Sequence, residues 1–238
     1  LERLCARLAP PVALVDPDNI AAALLALAPA MPAIEGRYVQ DVMAIGQTVA
    51  GLPGRPLTAL PRAAAGSVLI AAFDAGRIAA RLQPFAPKGA TIATLDAARL
   101  PDAMLTNPRR YLDRLNFSTN FSFFRDQDGL STRLVTANYW AGYGAGPVRL
   151  WLRLFDGAGA ALASWEEEVP PGASGIAIDS AEVRARFGLP EFAGQLFVHV
   201  IGAAGHDVVK YALDTFGAGN DRSLSCTHDA NAWPSERY

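Results

Sequence analysis

Residues 148–155 have the sequence VRLWLRLF, and this stretch decides the fold class of the C-terminal half of the chain. Val148 and three leucines occupy every second position, and arginine, tryptophan and phenylalanine occupy the positions between them. Because successive side chains of a strand point to opposite faces, this alternation predicts a strand with one face in a core. Trp151 then lies on the opposite face beside Arg149 and Arg153, an arrangement that suits cation–π contacts or contact with a partner.

Similar strand patterns, separated by turn residues, recur about every ten residues beyond residue 132. We predict a short helix from 179 or 180 to 187 and strands over 132–140, 148–155, 160–169, 173–178, 194–201, 207–213 and 224–227. Seven short alternating strands are typical of a β-sandwich. Residues 109–125 are rich in aromatic residues and asparagine, and we interpret them as a crossing segment between two parts of the chain.

The N-terminal part alternates strand-like and helix-like patterns. Residues 67–73 (SVLIAAF) predict a buried strand, and Asp74 predicts the N-cap of the helix that follows. That helix is predicted over 75–85, with Phe85 among its inward-facing residues, and the next strand over 91–95. A strand, a helix and a strand in this order imply a parallel sheet covered by helices.

Together these patterns predict an α+β fold in two parts. An α/β domain that contains the βαβ unit spans 1–106, and an antiparallel β-sandwich domain spans 107–238. The first domain is also expected to hold a helix over 38–49, where apolar residues recur at helical spacing.

Composition and charge exclude several classes of function. The chain has 238 residues, 51% of them hydrophobic and 18% charged, with a formal net charge of −2. The absence of a basic cluster argues against nucleic-acid binding, and the absence of a long apolar run argues against a membrane span. Cys5 and Cys226 are far apart and lack CxxC spacing, which is typical of a reduced, cytoplasmic protein. The N-terminal residues lack the pattern of a signal peptide, which supports the same expectation.

The βαβ unit raises the possibility of nucleotide binding, but its turn has the wrong residues. A dinucleotide site needs glycines between strand and helix, whereas SVLIAAF is followed by DAGR. Neither GxGxxG nor GxxxxGK[ST] occurs in the chain. Asp74 is therefore predicted as an ordinary helix cap, while Asp96 could contact a ribose or cap a helix.

A second candidate site is the string Cys226-Thr-His228-Asp229. On an extended segment Cys226 and His228 point to the same side, and Asp229 points to the other. A thiol, an imidazole and a carboxylate suit nucleophilic catalysis, and His206 could join them. Zinc needs three or four ligands, so no metal site is predicted. The alternative is a polar strand end with Cys226 as a small core residue. His199 is predicted to be a satisfied, buried histidine.

The third candidate is a group of aromatic residues. Tyr139, Trp140 and Tyr143 lie in the glycine-punctuated turn ANYWAGYGAGP, with Trp151 and Trp165 on neighbouring strands. Exposed rings on the rim of a sandwich could stack against sugar faces. The alternative is packing in the core, where tryptophan contributes a large buried area.

The same half resembles a known family. Residues 132–216, from TRLVTANYW and VRLWLRLFD through the VPPG turn to GQLFVHVIGAAGHDVVKYALDTF, are similar in strand order and turn spacing to the sensory rhodopsin transducer family. The resemblance implies a small β-sandwich that binds other proteins. A role in contacts with carbohydrate or DNA has also been suggested for this family. The whole chain resembles a bacterial family in which such a sandwich follows an α/β segment. This implies binding rather than catalysis and assigns no role to any residue.

The leading hypothesis is a non-enzymatic binding protein that presents an aromatic rim to a saccharide or a protein partner. The proposed ligand-binding residues are Tyr139, Trp140, Tyr143, Trp151, His206 and Trp233. One alternative is an enzyme with a site between the two parts that uses Cys226, His228 and Asp229. Another is a structural or assembly subunit. The sequence assigns no cofactor.

Overall fold

The structure is a computed structural model that describes residues 1–217 and 224–229. It forms two compact units, Leu1–Leu100 and Pro101–Tyr238. The first contains a six-stranded mixed sheet and the second an eight-stranded antiparallel sheet, so the fold is α+β. The sequence predicts the domain boundary after residue 106, whereas the structure has it after Leu100. Residues 101–106 therefore belong to the second unit.

The sheet of the first unit has the strand order β3-β4-β2-β1-β5-β6. Its strands are β1 Val12–Val15, β2 Ile34–Val39, β3 Thr48–Val49, β4 Leu52–Pro56, β5 Ser67–Ile70 and β6 Thr91–Thr94. Its α-helices are α1 Glu2–Cys5, α2 Ala21–Leu27 and α3 Gly76–Leu82. The pairs are parallel except for β3 with β4. The predicted βαβ unit is therefore confirmed as β5-α3-β6.

The central strands of this sheet, β1 and β5, are buried along their whole length. Their sequences, VALV and SVLI, are almost entirely apolar, as expected for parallel strands that are covered on both faces. One face packs against α3 and a 3₁₀-helix at Leu57–Arg62, and the other packs against α1 and α2.

Three local predictions for the first unit are wrong. Residues 38–49 do not form a helix, because Tyr38 pairs with Val15 in the sheet and the chain then turns through a 3₁₀-helix, Val42–Ala44. Asp74 does not cap α3, because the carboxylate of Asp96 accepts hydrogen bonds from that turn instead. Phe85 does not face inward and is 57% exposed.

The sheet of the second unit has the order β10-β9-β12-β7-β8-β13-β14, and β11 also pairs with β8. Its strands are β7 Thr119–Gln127, β8 Leu130–Ala137, β9 Arg149–Asp156, β10 Ala161–Glu168, β11 Gly175–Asp179, β12 Phe192–Ile201, β13 Tyr211–Gly217 and β14 Leu224–Asp229. The helix α4, Ser180–Phe187, follows β11 and ends at Gly188. Part of the expected crossing segment thus forms β7, a strand in the middle of the sheet.

The predicted alternation of residues 148–155 is confirmed. Leu150, Leu152 and Leu154 are completely buried, whereas the residues that alternate with them are partly exposed. The leucines pack with Phe124 of β7 and Leu134 of β8 in one core. Strands β7 and β8 pair directly at only two positions next to their turn, and β8 then pairs with β11 and β13.

Among the described residues, no helix combines the length and the apolar character that a membrane span requires.

Candidate functional site

The outer side of strands β7, β9 and β12 carries a cluster of aromatic side chains, which we call the aromatic face. These residues alternate along their strands with the buried residues of the core. The aromatic face consists of Phe121 and Phe123 on β7, Trp151 and Phe155 on β9, and Phe197 on β12.

The register of the three strands places these residues beside one another. Phe197 on the middle strand lies opposite Phe121 on one side and Arg153 on the other. Gln195, two residues earlier on the same face, lies opposite Phe123 and Phe155. Side chains directly opposite each other on neighbouring strands are close enough to touch, so this part of the sheet forms one continuous surface.

The rings of the aromatic face contact one another in tilted and edge-to-face pairs. The ring centroids of Phe121 and Phe197 are 4.7 Å apart with an interplanar angle of 47°. Those of Trp151 and Phe197 are 5.9 Å apart at 76°. Edge-to-face and tilted pairs of this kind are favoured by the ring quadrupoles. The rings therefore form a corrugated cluster, and they do not lie in one plane.

Part of the aromatic face is open to solvent. Phe121 is 51% exposed and Phe123 is 50% exposed. Together with Phe155, Gln195 and the turn 156–159 they line a groove of about 700 Å³. Contiguous exposed apolar surface of this kind is typical of a protein-interaction site or a ligand-binding groove.

Two arginines beside the aromatic face have no acidic partner in the described part of the chain. The guanidinium carbon of Arg153 lies 5.4 Å from the ring centroid of Phe155, and that of Arg125 lies 5.8 Å from the ring centroid of Phe123. The Nε atoms of both are buried without a hydrogen-bond acceptor among the described residues. Arg149 differs, because it pairs with Glu166 and also donates to the carbonyl of Ala103.

His199 lies at one end of this surface and is closed off from solvent. It is only 2% exposed, and its Nε2 lies 2.7 Å from the carbonyl oxygen of Met104. Burial lowers the pKa of His199, and the hydrogen bond to Met104 opposes that shift in part. The histidine is thus buried and satisfied as predicted, although it lies on the outer side of the sheet with Trp151 as a neighbour.

The structure brings together four of the predicted ligand-binding residues: Tyr139, Trp140, Tyr143 and His206. One of them, Trp140, is buried. Trp140 is completely buried and donates its Nε1 proton to the carbonyl of His206 at 3.1 Å. Tyr139 donates its hydroxyl proton to the carbonyl of Val208. Trp140 therefore cannot stack against a ligand, because the core of the unit already covers its ring.

Tyr143 is the exposed member of this group, and it contacts His206, which is partly buried. Tyr143 is 57% exposed, and its hydroxyl lies 2.9 Å from Nε2 of His206. The two rings meet edge to face, with centroids 4.8 Å apart. Trp151 belongs to the aromatic face, and Trp233 lies outside the described residues.

The environment of Cys226 does not favour a nucleophile. Cys226 is exposed on β14, and its register partner is Asp214 on β13. The hydrogen bond to Asp214 raises the pKa of the Cys226 thiol, whereas a reactive cysteine needs a lowered pKa. The ring of His206 contacts Tyr139 and Tyr143, and the roles predicted for His228 and Asp229 stay predictions. Among the residues whose side chains the structure describes, no group of three or more His, Cys, Asp or Glu residues could hold a metal.

In the first unit, aspartate carboxylates accept hydrogen bonds from the backbone N–H groups at the start of two helices, α2 and α3. Oδ1 of Asp16 accepts the backbone N–H of Ile20 at 2.8 Å, at the start of α2. The two carboxylate oxygens of Asp96 accept from the backbone N–H groups of Asp74 and Ala75, at the start of α3. Phosphate groups bind at such positions through the same N–H groups. The arrangement therefore disfavours a nucleotide, and Asp96 acts as a cap.

Phe121, Phe123, Phe155 and Phe197 are not among the ligand-binding residues predicted from the sequence. The available signal was the string FSFF at 121–124, in which Ser122 and Phe124 point inward. A strand with one face in a core usually has its apolar residues on the inner face, whereas β7 has Ser122 inside and Phe121 and Phe123 outside. The alternation along 121–124 therefore does not indicate a strand.

Neither a protein-family model nor a curated protein matches the chain.

Proposed function

We propose that the second unit is a non-enzymatic binding module that contacts a partner protein through the aromatic face. The observation that carries this proposal is the half-exposure of Phe121 and Phe123 within a continuous aromatic cluster. Aromatic residues are enriched where proteins bind one another, because they bury a large area with few rotatable bonds.

We further infer that the eight-stranded sheet folds back on itself as a two-layer β-sandwich. Two features support this: the short pairing of β7 with β8, and the common core that Phe124, Leu134 and Leu152 share. In such a sandwich the inner faces bury each other, and the outer face of β9, β12 and β7 is free to bind.

A protein partner fits the aromatic face better than a saccharide does. Sugar rings stack on flat, accessible aromatic planes, whereas Trp151, Phe197 and Phe121 lean on one another at angles of 76° and 47°. A corrugated surface instead accepts the interdigitating side chains of another protein. The resemblance to the sensory rhodopsin transducer family, whose members bind other proteins, supports the same choice.

A saccharide site at Tyr143 is the second candidate, because its ring is 57% exposed and contacts the ring of His206 edge to face.

Catalysis at Cys226 is less favoured, because Asp214 stabilises the protonated thiol. A structural subunit would associate with itself, and sedimentation over a range of concentrations distinguishes that case.

Site-specific photo-crosslinking tests the proposal. The photoreactive amino acid p-benzoylphenylalanine replaces Phe121 in one sample and Phe85 in the matched control, since both side chains are exposed phenylalanines. In an extract of the source cells we expect a discrete crosslinked protein from position 121 and none from position 85. That protein, once identified and purified, should bind the unmodified chain and should not bind a Phe121→Ala/Phe123→Ala variant.

Equal crosslinking from both positions, or none from position 121, contradicts the proposal. A glycan array provides the second arm of the test. Binding to a glycan that is lost in Tyr143→Ala and kept in Phe121→Ala would establish the saccharide candidate instead.

A further inference from the structure

We propose that the partner segment recognised by the aromatic face is acidic, and that Arg125 and Arg153 bind its carboxylates. This inference rests on the proposed function, because it names the chemistry of the partner that the same surface would bind.

The first observation is the contrast between these two arginines and the other arginines on the described strands and on α4 of the second unit. Arg125 and Arg153 form no ion pair with any described residue. The arginines that do pair with a carboxylate are Arg133, Arg149, Arg184 and Arg186. The aromatic face therefore holds two positive charges that have no ion-pair partner in the described part of the chain.

The second observation concerns the surroundings of the two guanidinium groups. Each lies beside a phenylalanine ring of the aromatic face, at 5.4 Å for Arg153 and 5.8 Å for Arg125. Only their Nε atoms, and not their terminal nitrogens, are buried without a partner among the residues that the structure describes. An arginine that packs against a ring loses less freedom when it binds a carboxylate, and its terminal nitrogens match the two oxygens of that group.

The carboxylates nearest to this surface, Asp156, Glu166 and Glu168, form no ion pair with Arg125 or Arg153. Asp156 lines the groove, and its Oδ1 accepts hydrogen bonds from the backbone N–H groups of Ala158 and Ala160. Glu166 lies opposite Trp151 and is paired with Arg149. Carboxylates are therefore the complementary groups for Arg125 and Arg153, and apolar or aromatic side chains are complementary to the groove beside Phe123.

Selection from a phage-displayed library of random dodecapeptides tests this chemistry directly. On the unmodified chain we expect enriched peptides to combine an aromatic residue with Asp or Glu. On an Arg125→Gln/Arg153→Gln variant, which removes both charges and keeps polar side chains, the acidic enrichment should disappear and the aromatic enrichment should remain. Arg62→Gln, an exposed arginine of the first unit, is the matched control and should leave both enrichments unchanged.

Affinities of one enriched peptide give the expected size of the effect. Each Arg→Gln change should weaken binding about two- to fivefold, as for exposed ion pairs. Added salt should weaken binding to the unmodified chain more than to the double variant, because salt screens exposed charges.

The outcomes separate this inference from the proposed function. Peptides that are enriched in aromatic residues but not in acids overturn the acidic partner and leave the aromatic face as a binding site. Enrichment that is the same on Phe121→Ala/Phe123→Ala as on the unmodified chain overturns the proposed function itself. Unchanged acidic enrichment on the double arginine variant overturns the role of Arg125 and Arg153.

Discussion

Phe197 on β12 and Phe121 on β7 lie directly opposite each other in the register of the antiparallel sheet, with ring centroids 4.7 Å apart. They face outward, and the residues beside them in the two strands, Leu196 and Ser122, face the core. This pair joins the aromatic side chains of β7 to those of β9, so the aromatic face depends on a contact between segments that are far apart in the sequence.

Neighbouring phenylalanines of β7 should differ sharply in their effect on stability. Phe124→Ala removes a completely buried ring and should lower the free energy of unfolding by about 3–5 kcal/mol. Phe123→Ala removes a ring that is half exposed and should cost about 1 kcal/mol. Urea denaturation of the two variants measures this difference, and equal losses would show that the two faces of β7 are wrongly assigned.

The buried ion pair of the first unit should be important for stability. Nε of Arg37 donates to Asp16 at 2.7 Å, and both side chains are almost completely buried. Arg37→Leu leaves the charge of Asp16 without its partner, so we expect a loss of about 3–5 kcal/mol in the free energy of unfolding.

Arg55→Leu is the matched control for Arg37, because it breaks an ion pair with Glu35 at a side chain that is 43% exposed. Its loss in urea denaturation should be clearly smaller, since exposed pairs contribute little. A loss as large as that of Arg37→Leu would contradict the importance of burial.

The free energy of unfolding should decrease as the pH is lowered from neutral through the unfolded pKa of histidine. His199 should contribute to this decrease. Burial lowers the pKa of His199 below its unfolded value near 6.5, so the unfolded chain binds a proton before the folded chain does. The contribution is complete above the unfolded pKa and is lost as the pH falls towards the lower, folded pKa. His199→Gln should make the dependence shallower in urea denaturation at a series of pH values, and an unchanged slope would contradict a neutral, buried His199.

Cys226 should react slowly with a disulfide reagent at neutral pH. The hydrogen bond to Asp214 favours the protonated thiol and raises its pKa, so the rate should rise only in more alkaline solution than for an ordinary thiol. Asp214→Asn should move the pH profile to lower pH. Cys5 is buried, and a Cys5→Ala background removes any contribution from it. Fast reaction of Cys226 at neutral pH would instead restore the enzyme alternative.

The strand at 148–155 and the unit β5-α3-β6 could be predicted from the sequence because their signals are local. Alternation along a strand and the order of strand, helix and strand are properties of neighbours in the chain. The position of Trp151 on the face opposite the leucines follows from that alternation alone, and the structure has it there.

Residues 38–49 and Phe85 show where local patterns fail. The apolar spacing of 38–49 is compatible with a helix, but the hydrogen bonds that β1 offers to Tyr38 and its neighbours outweigh the helical preference. Likewise, the spacing of 75–85 suggests one inward face, whereas α3 ends at Leu82 and the chain continues as a 3₁₀-helix that turns Phe85 outward.

The sequence by itself determined the α+β class, the alternation of β9 and the presence of aromatic residues in the second unit. Only the tertiary structure decided which rings are exposed. Trp140 is buried and Phe121 is exposed because the pairing of β12 with β7, and the hydrogen bond from Trp140 to His206, join segments that are distant along the chain. Side-chain periodicity is encoded within a strand, but a binding surface is formed by strands that meet only in the folded protein.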